Sequence, residues 1–302
     1  AAADRTWAFG HVIVDEAQEL SPMAWRMLMR RCPTRSMTLV GDVAQTGDLA
    51  GTTSWARVLE PYVGDRWRLE RLTVNYRTGA EIMEVAADVL AAQDPTAVAP
   101  RSVRSSGVPP WRMAVTEEEL PRRLGEVVAR ELAQLDEGRL AGEEGRLAVI
   151  VPRARRAALA DLSALLALSA SADPSGVSGQ PGAEPGASDQ ATAAETAGTA
   201  GAAEGAGAAE GAGDDPDAMV DLPAVDLEQQ RAVVLTVREA KGLEFDVVVV
   251  VEPERILAES SRGAGDLYVA LTRATQRLVV LHTGELPAML SRLQPAPATA
   301  AT

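Results

Sequence analysis

The chain has 302 residues but one cysteine, Cys32, and two histidines, His11 and His282. A single thiol excludes an internal disulfide, and so few Cys and His side chains cannot assemble a zinc site. Both histidines read as ordinary strand residues. Lysine is nearly missing: Lys241 stands alone among 29 basic residues, the other 28 being arginine. Heavy use of Arg, Ala and Gly fits a GC-rich genome, so this bias needs no functional cause. No apolar run approaches the length of a membrane span, and no membrane partner is expected. No signal-peptide pattern precedes the first strand, which makes a reducing, cytoplasmic setting the expectation. A glycine-rich G-x-x-x-x-G-K-[ST] loop, the usual cradle for nucleotide phosphates, occurs nowhere.

The formal charge of -14 looks hostile to nucleic acid, but its location matters more than its size. Between Arg156 and Arg231 there is no basic residue and there are 13 acids, leaving 30 acids against 29 bases elsewhere. Over 169–218 the composition collapses to Ala, Gly, Ser, Pro and acids, with Gly-Ala-Ala-Glu-Gly-Ala occurring twice from Gly201. Such a stretch has too little apolar surface to offset the entropy of ordering it, and is expected to be a disordered acidic insert.

What is present is a series of short apolar runs ending in polar clusters. His11-Val12-Ile13-Val14-Asp15-Glu16-Ala17-Gln18 and Leu39-Val40-Gly41-Asp42-Val43-Ala44-Gln45 each read as a buried parallel strand whose carboxyl end presents side chains at a crevice. Ligands bind at that edge of open α/β sheets. Asp15 is placed to hold magnesium through water, and Glu16 to orient and deprotonate an attacking water. An Asp at a strand end otherwise often only caps the next helix. Gln45 can sense a terminal phosphate, or simply cap its loop.

Ser21-Pro22 opens a helix to about Arg31, Ser as N-cap and Pro at the first position. Arg35–Val40 and Leu69–Val74 read as strands, and Gly79–Leu90 as a helix. At the junction of the last two, Arg77 can bring positive charge to a phosphate and Tyr76 a flat face to a base, although an Arg there is otherwise usually a surface ion pair. Trp111–Val115 and Arg146–Val151 read as strands, Leu120–Leu135 and Ala157–Leu168 as helices. Beyond the insert, Ala232–Val237 and Val247–Val251 are strands, and Asp266–Thr275 is a helix leading to the strand Arg277–His282. A stripe of Tyr and Leu in that helix is core packing, which leaves Arg273 unexplained.

In this order, DEAQ, GDVAQ, NYRT, TVREAKGLEF and YVALTRA resemble motifs II to VI of superfamily 1 helicases of the UvrD/Rep/PcrA type. The resemblance implies an α/β fold of two RecA-like, P-loop NTPase-type parallel-sheet domains, the first incomplete and lacking its phosphate loop. On that basis 1–61 is the later part of the first domain, 62–168 and 219–290 form the second, and 291–302 is a disordered tail. By the same likeness the cofactors are ATP and Mg2+, with Asp15 for the metal and Glu16 as base. Gln18 and Gln45 couple phosphate state to domain closure, Tyr76 stacks on adenine, Arg77 and Arg273 contact the γ-phosphate, and Glu244, beside Gly242 in the Lys-Gly-Leu-Glu run, contacts the ribose. DNA, single-stranded or at a duplex junction, is the implied partner.

Two departures weaken the DNA side. Thr46-Gly47-Asp48-Leu49-Ala50 replaces the aromatic run that follows motif III in the DNA helicases, and Arg238 stands where the family usually carries His. Trp55, the nearest aromatic, reads as a core residue. The wording around motif III and the Asn-Tyr-Arg-Thr helix looks most like the HelD group of actinobacterial proteins, which act on RNA polymerase. Two functions remain: an ATP-driven motor of which this chain is the C-terminal portion, or an inactive helicase-like module that docks on a partner such as RNA polymerase.

Overall fold

The computed structural model describes residues 7–46, 50–137, 145–159 and 230–297. The acidic insert and most of the helix expected over 157–168 lie outside them.

The core is a parallel six-stranded sheet. Its strands are β5 (Trp111–Ala114), β6 (Leu147–Val151), β7 (Ala232–Thr236), β8 (Phe245–Val251), β9 (Ala274–His282) and β10 (Gln294–Pro295), in the order β10-β5-β9-β8-β6-β7. The five consecutive valines of β8 are completely buried because this strand sits between β6 and β9 and is covered on both faces. Val247, Val249 and Val251 join a core with Leu124, Val127 and Val128 of helix α4 (Leu120–Glu137). Strand alternation turns Val248 and Val250 the other way. Helix α8 (Gly263–Thr272) also packs on β8 and β9, and α3 (Ala80–Gln93) lies against α8 and β9. The expected α/β class with a parallel sheet is what the chain adopts.

A smaller parallel pair precedes it: β1 (Val12–Val14) with β2 (Met37–Leu39). Helix α1 (Pro22–Arg31) starts as its sequence dictates, Ser21 Oγ accepting from the Ala24 N–H at 3.2 Å. It buries Trp25 and Met29 against Ala17 and Leu59, the latter on α2 (Trp55–Val63), and Trp55 packs half-buried against this same cluster rather than inside it. The outer face of the pair is left bare: Ile13 is 72% exposed.

Two expectations need correction. The strand expected over Leu69–Val74 shrinks to β3 (Val74–Asn75), because its only partner among the described residues, β4 (Arg101–Ser102), is two residues long and leaves Leu72 89% exposed. The tail is not structureless from 291. Leu293 is buried, Arg292 forks onto Asp88, and Gln294–Pro295 pair with Trp111–Arg112 at the sheet edge, where proline is tolerated.

At the carboxyl edge of the sheet, β8 runs into Glu252, a fully buried residue with φ +50° that leads into α7 (Pro253–Ala258). Arg155, on the short helix α5 (Arg153–Arg156), donates to it through Nε at 2.8 Å and Nη2 at 3.0 Å, and Thr283 Oγ1 donates at 2.7 Å. Arg255 lies 3.0 Å away, and Glu117 pairs with both arginines. This network ties the ends of β6, β8 and β9 to the loop after β5.

Candidate functional site

The end of β1 turns sharply. Glu16 takes φ +50°, ψ +36°, a left-handed conformation that only Glu16, Arg35 and Glu252 share among the described non-glycine residues. Asp15 and Glu16 are both exposed, and Asp15 Oδ1 accepts the Glu16 N–H at 2.9 Å. The turn drives Gln18 inward, where Nε2 donates to Glu16 Oε2 at 2.5 Å and Oε1 accepts from the Asp42 N–H at 3.1 Å. Gln18 thereby locks the ends of β1 and β2 together. A side chain at position 41 would push against the Gln18 amide oxygen and crowd the Ala17 backbone, so glycine leaves room for this lock. Asp42 caps the next turn and accepts from Gln45 Nε2 at 3.0 Å, which turns the Gln45 carbonyl oxygen toward the second lobe.

Arg273 meets it there. Its Nη2 donates to Gln45 Oε1 at 3.0 Å, while Nε and Nη1 donate to the carbonyls of Val269 and Leu243, each at 3.3 Å. Arg273 is only 8% exposed. Burial depresses its pKa, Glu244 and Glu16 oppose that shift, and Arg77 adds to it. Arg77 itself forms an ion pair with Glu244. Asn75 Oδ1 accepts the N–H groups of Arg77 at 2.8 Å and Thr78 at 3.1 Å, a turn that leaves the Tyr76 ring 69% exposed.

Gly242 contributes conformation rather than contact. Leu243 N–H returns to the Ala240 carbonyl at 3.1 Å, Lys241 has φ -60° and ψ 137°, and Gly242 has φ +73°. This is a type II turn, which requires a positive φ at its third residue. Behind the site, Tyr268 is pushed up to about 12 by burial and then by the Asp42 charge.

Glu16, Gln18, Gln45, Arg77, Glu244 and Arg273 therefore share one network of hydrogen bonds and charge interactions, with Asp15 adjacent. Tyr76 stands at its border with an open face. Arg77 makes the ion pair expected of an ordinary surface arginine, and its charge is also felt by the buried Arg273. Several participants are not apparent in the sequence. Lys241 Nζ donates to Glu19 Oε1 at 2.7 Å, joining the lobes, and Arg262 Nη2 reaches the Gly51 carbonyl at 3.3 Å. Lys241 had one signal, being the sole lysine, while nothing in the sequence distinguishes Glu19. Among the described residues no group of three or more His, Cys, Asp or Glu side chains could hold a metal, and no helix is long and apolar enough to cross a membrane.

Fold and site together define an α/β protein with a parallel sheet and a charged junction between that sheet and a smaller parallel pair. Within it, residues 231–281, from the start of β7 to the end of β9, match the family model of the UvrD-like helicase C-terminal domain. That stretch holds Lys241, Gly242, Glu244 and Arg273. No curated protein matches the chain in sequence. Among solved structures, the C-terminal domain of a possible DNA helicase from Lactobacillus plantarum is similar at 18% identity and TM-score 0.39, over 75% of this chain and 96% of that one. Arterivirus nonstructural protein 10, a helicase, is similar at 13% identity and TM-score 0.39, over 95% of this chain and 42% of the viral one. The chain thus spans less than half of that helicase.

Proposed function

We propose that this chain is the C-terminal portion of a superfamily 1, ATP-driven motor of the HelD type, working on DNA or releasing RNA polymerase from nucleic acid. The observation that carries the reading is the convergence of Glu16, Gln45, Arg77, Glu244 and Arg273 from segments more than two hundred residues apart in sequence. Such a set suits hydrolysis of a nucleoside triphosphate. Glu16 orients a water and takes its proton as the water attacks the γ-phosphorus, while the bond from that phosphorus to the β,γ-bridging oxygen breaks and the nucleoside diphosphate leaves. Arg77 and Arg273 meet the negative charge that builds on the transferred phosphoryl oxygens. Tyr76 stacks on the adenine and Glu244 holds the ribose, so the Arg77–Glu244 pair parts when nucleotide enters. Gln45, already bonded to Arg273, relays the presence of the terminal phosphate from one lobe to the other, and Gln18 holds Glu16 in place.

The exposed Asp15 carboxylate fits magnesium, a hard cation bound through one or two carboxylates with waters and phosphates filling its octahedron. Bound there, the ion would neutralise charge on the phosphate oxygens.

The missing phosphate loop has to come from elsewhere. The two-stranded β1–β2 pair, with Ile13 exposed, is the kind of parallel sheet that is normally extended and covered on both faces. A polypeptide bearing the loop would dock on it. Measured alone, the chain should hydrolyse little ATP, and mixing with a loop-bearing fragment of the same lobe should restore turnover. Brisk hydrolysis by the chain alone would refute the incomplete-lobe reading. The lack of the loop also favours a second reading, an inactive module that binds a partner such as RNA polymerase; absence of turnover under every pairing would establish it.

A further inference from the structure

Two adjoining cavities lie beside the first residues of β5, β9 and β10. One, of about 470 Å³, is lined by Trp111, Arg130, Gln134, Glu137, Arg277 and Gln294, among others. The other, of about 330 Å³, is lined by residues including Gly79, Arg104, Ser106 and Thr275. Both share Val108, Gln134 and Arg277, so they form one trough.

Arg277 is fixed in its wall. Its Nε donates to Glu131 Oε2 at 2.6 Å and its Nη2 to Gln134, and Glu131 is fully buried, so this arginine's charge is balanced. Arg130 is different. Its guanidinium sits over the Trp111 ring, 5.7 Å from the centroid, and Nη1 is buried with no hydrogen-bond partner among the described residues. Nη1 itself is closed off from the trough, but Arg130 lines it, and an oxyanion with two oxygens is what a guanidinium without a carboxylate partner accepts best. Arg130 and Arg104 pair with no carboxylate among the described residues; of the lining side chains three are arginine and one, Glu137, is acidic, while Glu131 pairs with Arg277 and Glu81 bonds Ser105 and Ser106.

We propose that this trough binds a phosphate group carried by a molecule no larger than a mononucleotide, at a site separate from the junction of Glu16, Arg77 and Arg273. The volume is in the range of small-molecule pockets. A nucleic-acid strand is disfavoured because single-strand grooves offer exposed aromatic faces for stacking, and the only ring here, Trp111, is buried. The trough borders the triphosphate residues in sequence: Gly79 and Thr275, joined by a 3.2 Å backbone hydrogen bond, each follow Arg77 and Arg273 by two residues.

Calorimetric titration of the whole chain with inorganic phosphate and with AMP tests this. One of the two should bind at micromolar to millimolar concentration. Arg130→Gln should weaken it by about tenfold, the exposed Arg104→Gln by less, and Arg122→Gln, an exposed arginine of α4 outside both sites, should leave it unchanged. AMP binding tighter than phosphate would identify an ester as the occupant, whereas equal binding would identify the free anion. The proposal fails if neither binds, if both trough variants bind like wild type, if Arg122→Gln abolishes binding, or if a single-stranded oligonucleotide binds more tightly than AMP with the same dependence on Arg130.

Discussion

Arg273→Lys is expected, on the proposed function, to lower by about a thousandfold the ATP hydrolysis restored by a loop-bearing fragment, with a much smaller change in nucleotide affinity. The substitution preserves the charge and removes the fork. Arg273 uses three different donors on Val269, Leu243 and Gln45, and an ammonium group cannot hold all three while facing a phosphate. Glu16→Gln is the companion. It keeps an acceptor for the Gln18 amide and so preserves the turn, but it can no longer take a proton from water. Single-turnover rates separate the effect on chemistry from the effect on binding. A loss below about tenfold in both variants would remove these two residues from the reaction.

The largest effect on stability should come from Arg155→Met. It strands the fully buried Glu252 carboxylate with only Thr283 and Arg255 to compensate, and breaking one side of a buried ion pair costs about 3–5 kcal/mol. Thermal denaturation followed by circular dichroism should show a midpoint roughly 10 °C lower at neutral pH. The double variant Arg155→Met, Glu252→Leu should recover much of the loss, because no uncompensated charge then remains. The network also sets a pH dependence. Burial alone would raise the Glu252 pKa, but the hydrogen bonds from Arg155 and Thr283 outweigh it and hold the carboxyl below its ordinary value. A carboxyl with a depressed pKa in the folded state stabilises the fold above its unfolded value, about 4.3, and that contribution disappears as the pH falls through the lower folded value. The gap between wild type and Arg155→Met should therefore narrow in acid. A gap that stays constant from pH 7 to pH 3 would show that Glu252 is not the group responsible.

The sheet and its main helices were legible because their signals are local. Five valines in a row announce a strand covered on both faces, Ser21-Pro22 announces a helix start, and Leu120 to Leu135 repeats with the helical period. The edges were not legible. Whether Leu69–Thr73 or Gln294–Pro295 becomes strand depends on what lies beside it, and a two-residue ladder leaves no pattern in composition. Much the same division runs through the site. Short motifs single out Asp15, Glu16, Gln45, Arg77 and Arg273 as candidates, but the pairing of Arg77 with Glu244 and of Glu19 with Lys241 joins distant segments that no periodicity connects. The backbone of Glu16 and Glu252 was also hidden, since left-handed conformations at non-glycine residues are imposed by tertiary contacts rather than by the residue itself.

The contact between Glu19 and Lys241 gives the junction a chemical handle. Lys241 holds the chain's only side-chain amine, and it already touches a carboxylate on the opposite lobe. A zero-length coupling reagent that converts a touching acid and amine into an amide would stitch the lobes together at one defined point. Any step requiring them to part would then stop, and the yield of the stitch under different solution conditions would report how often they come apart.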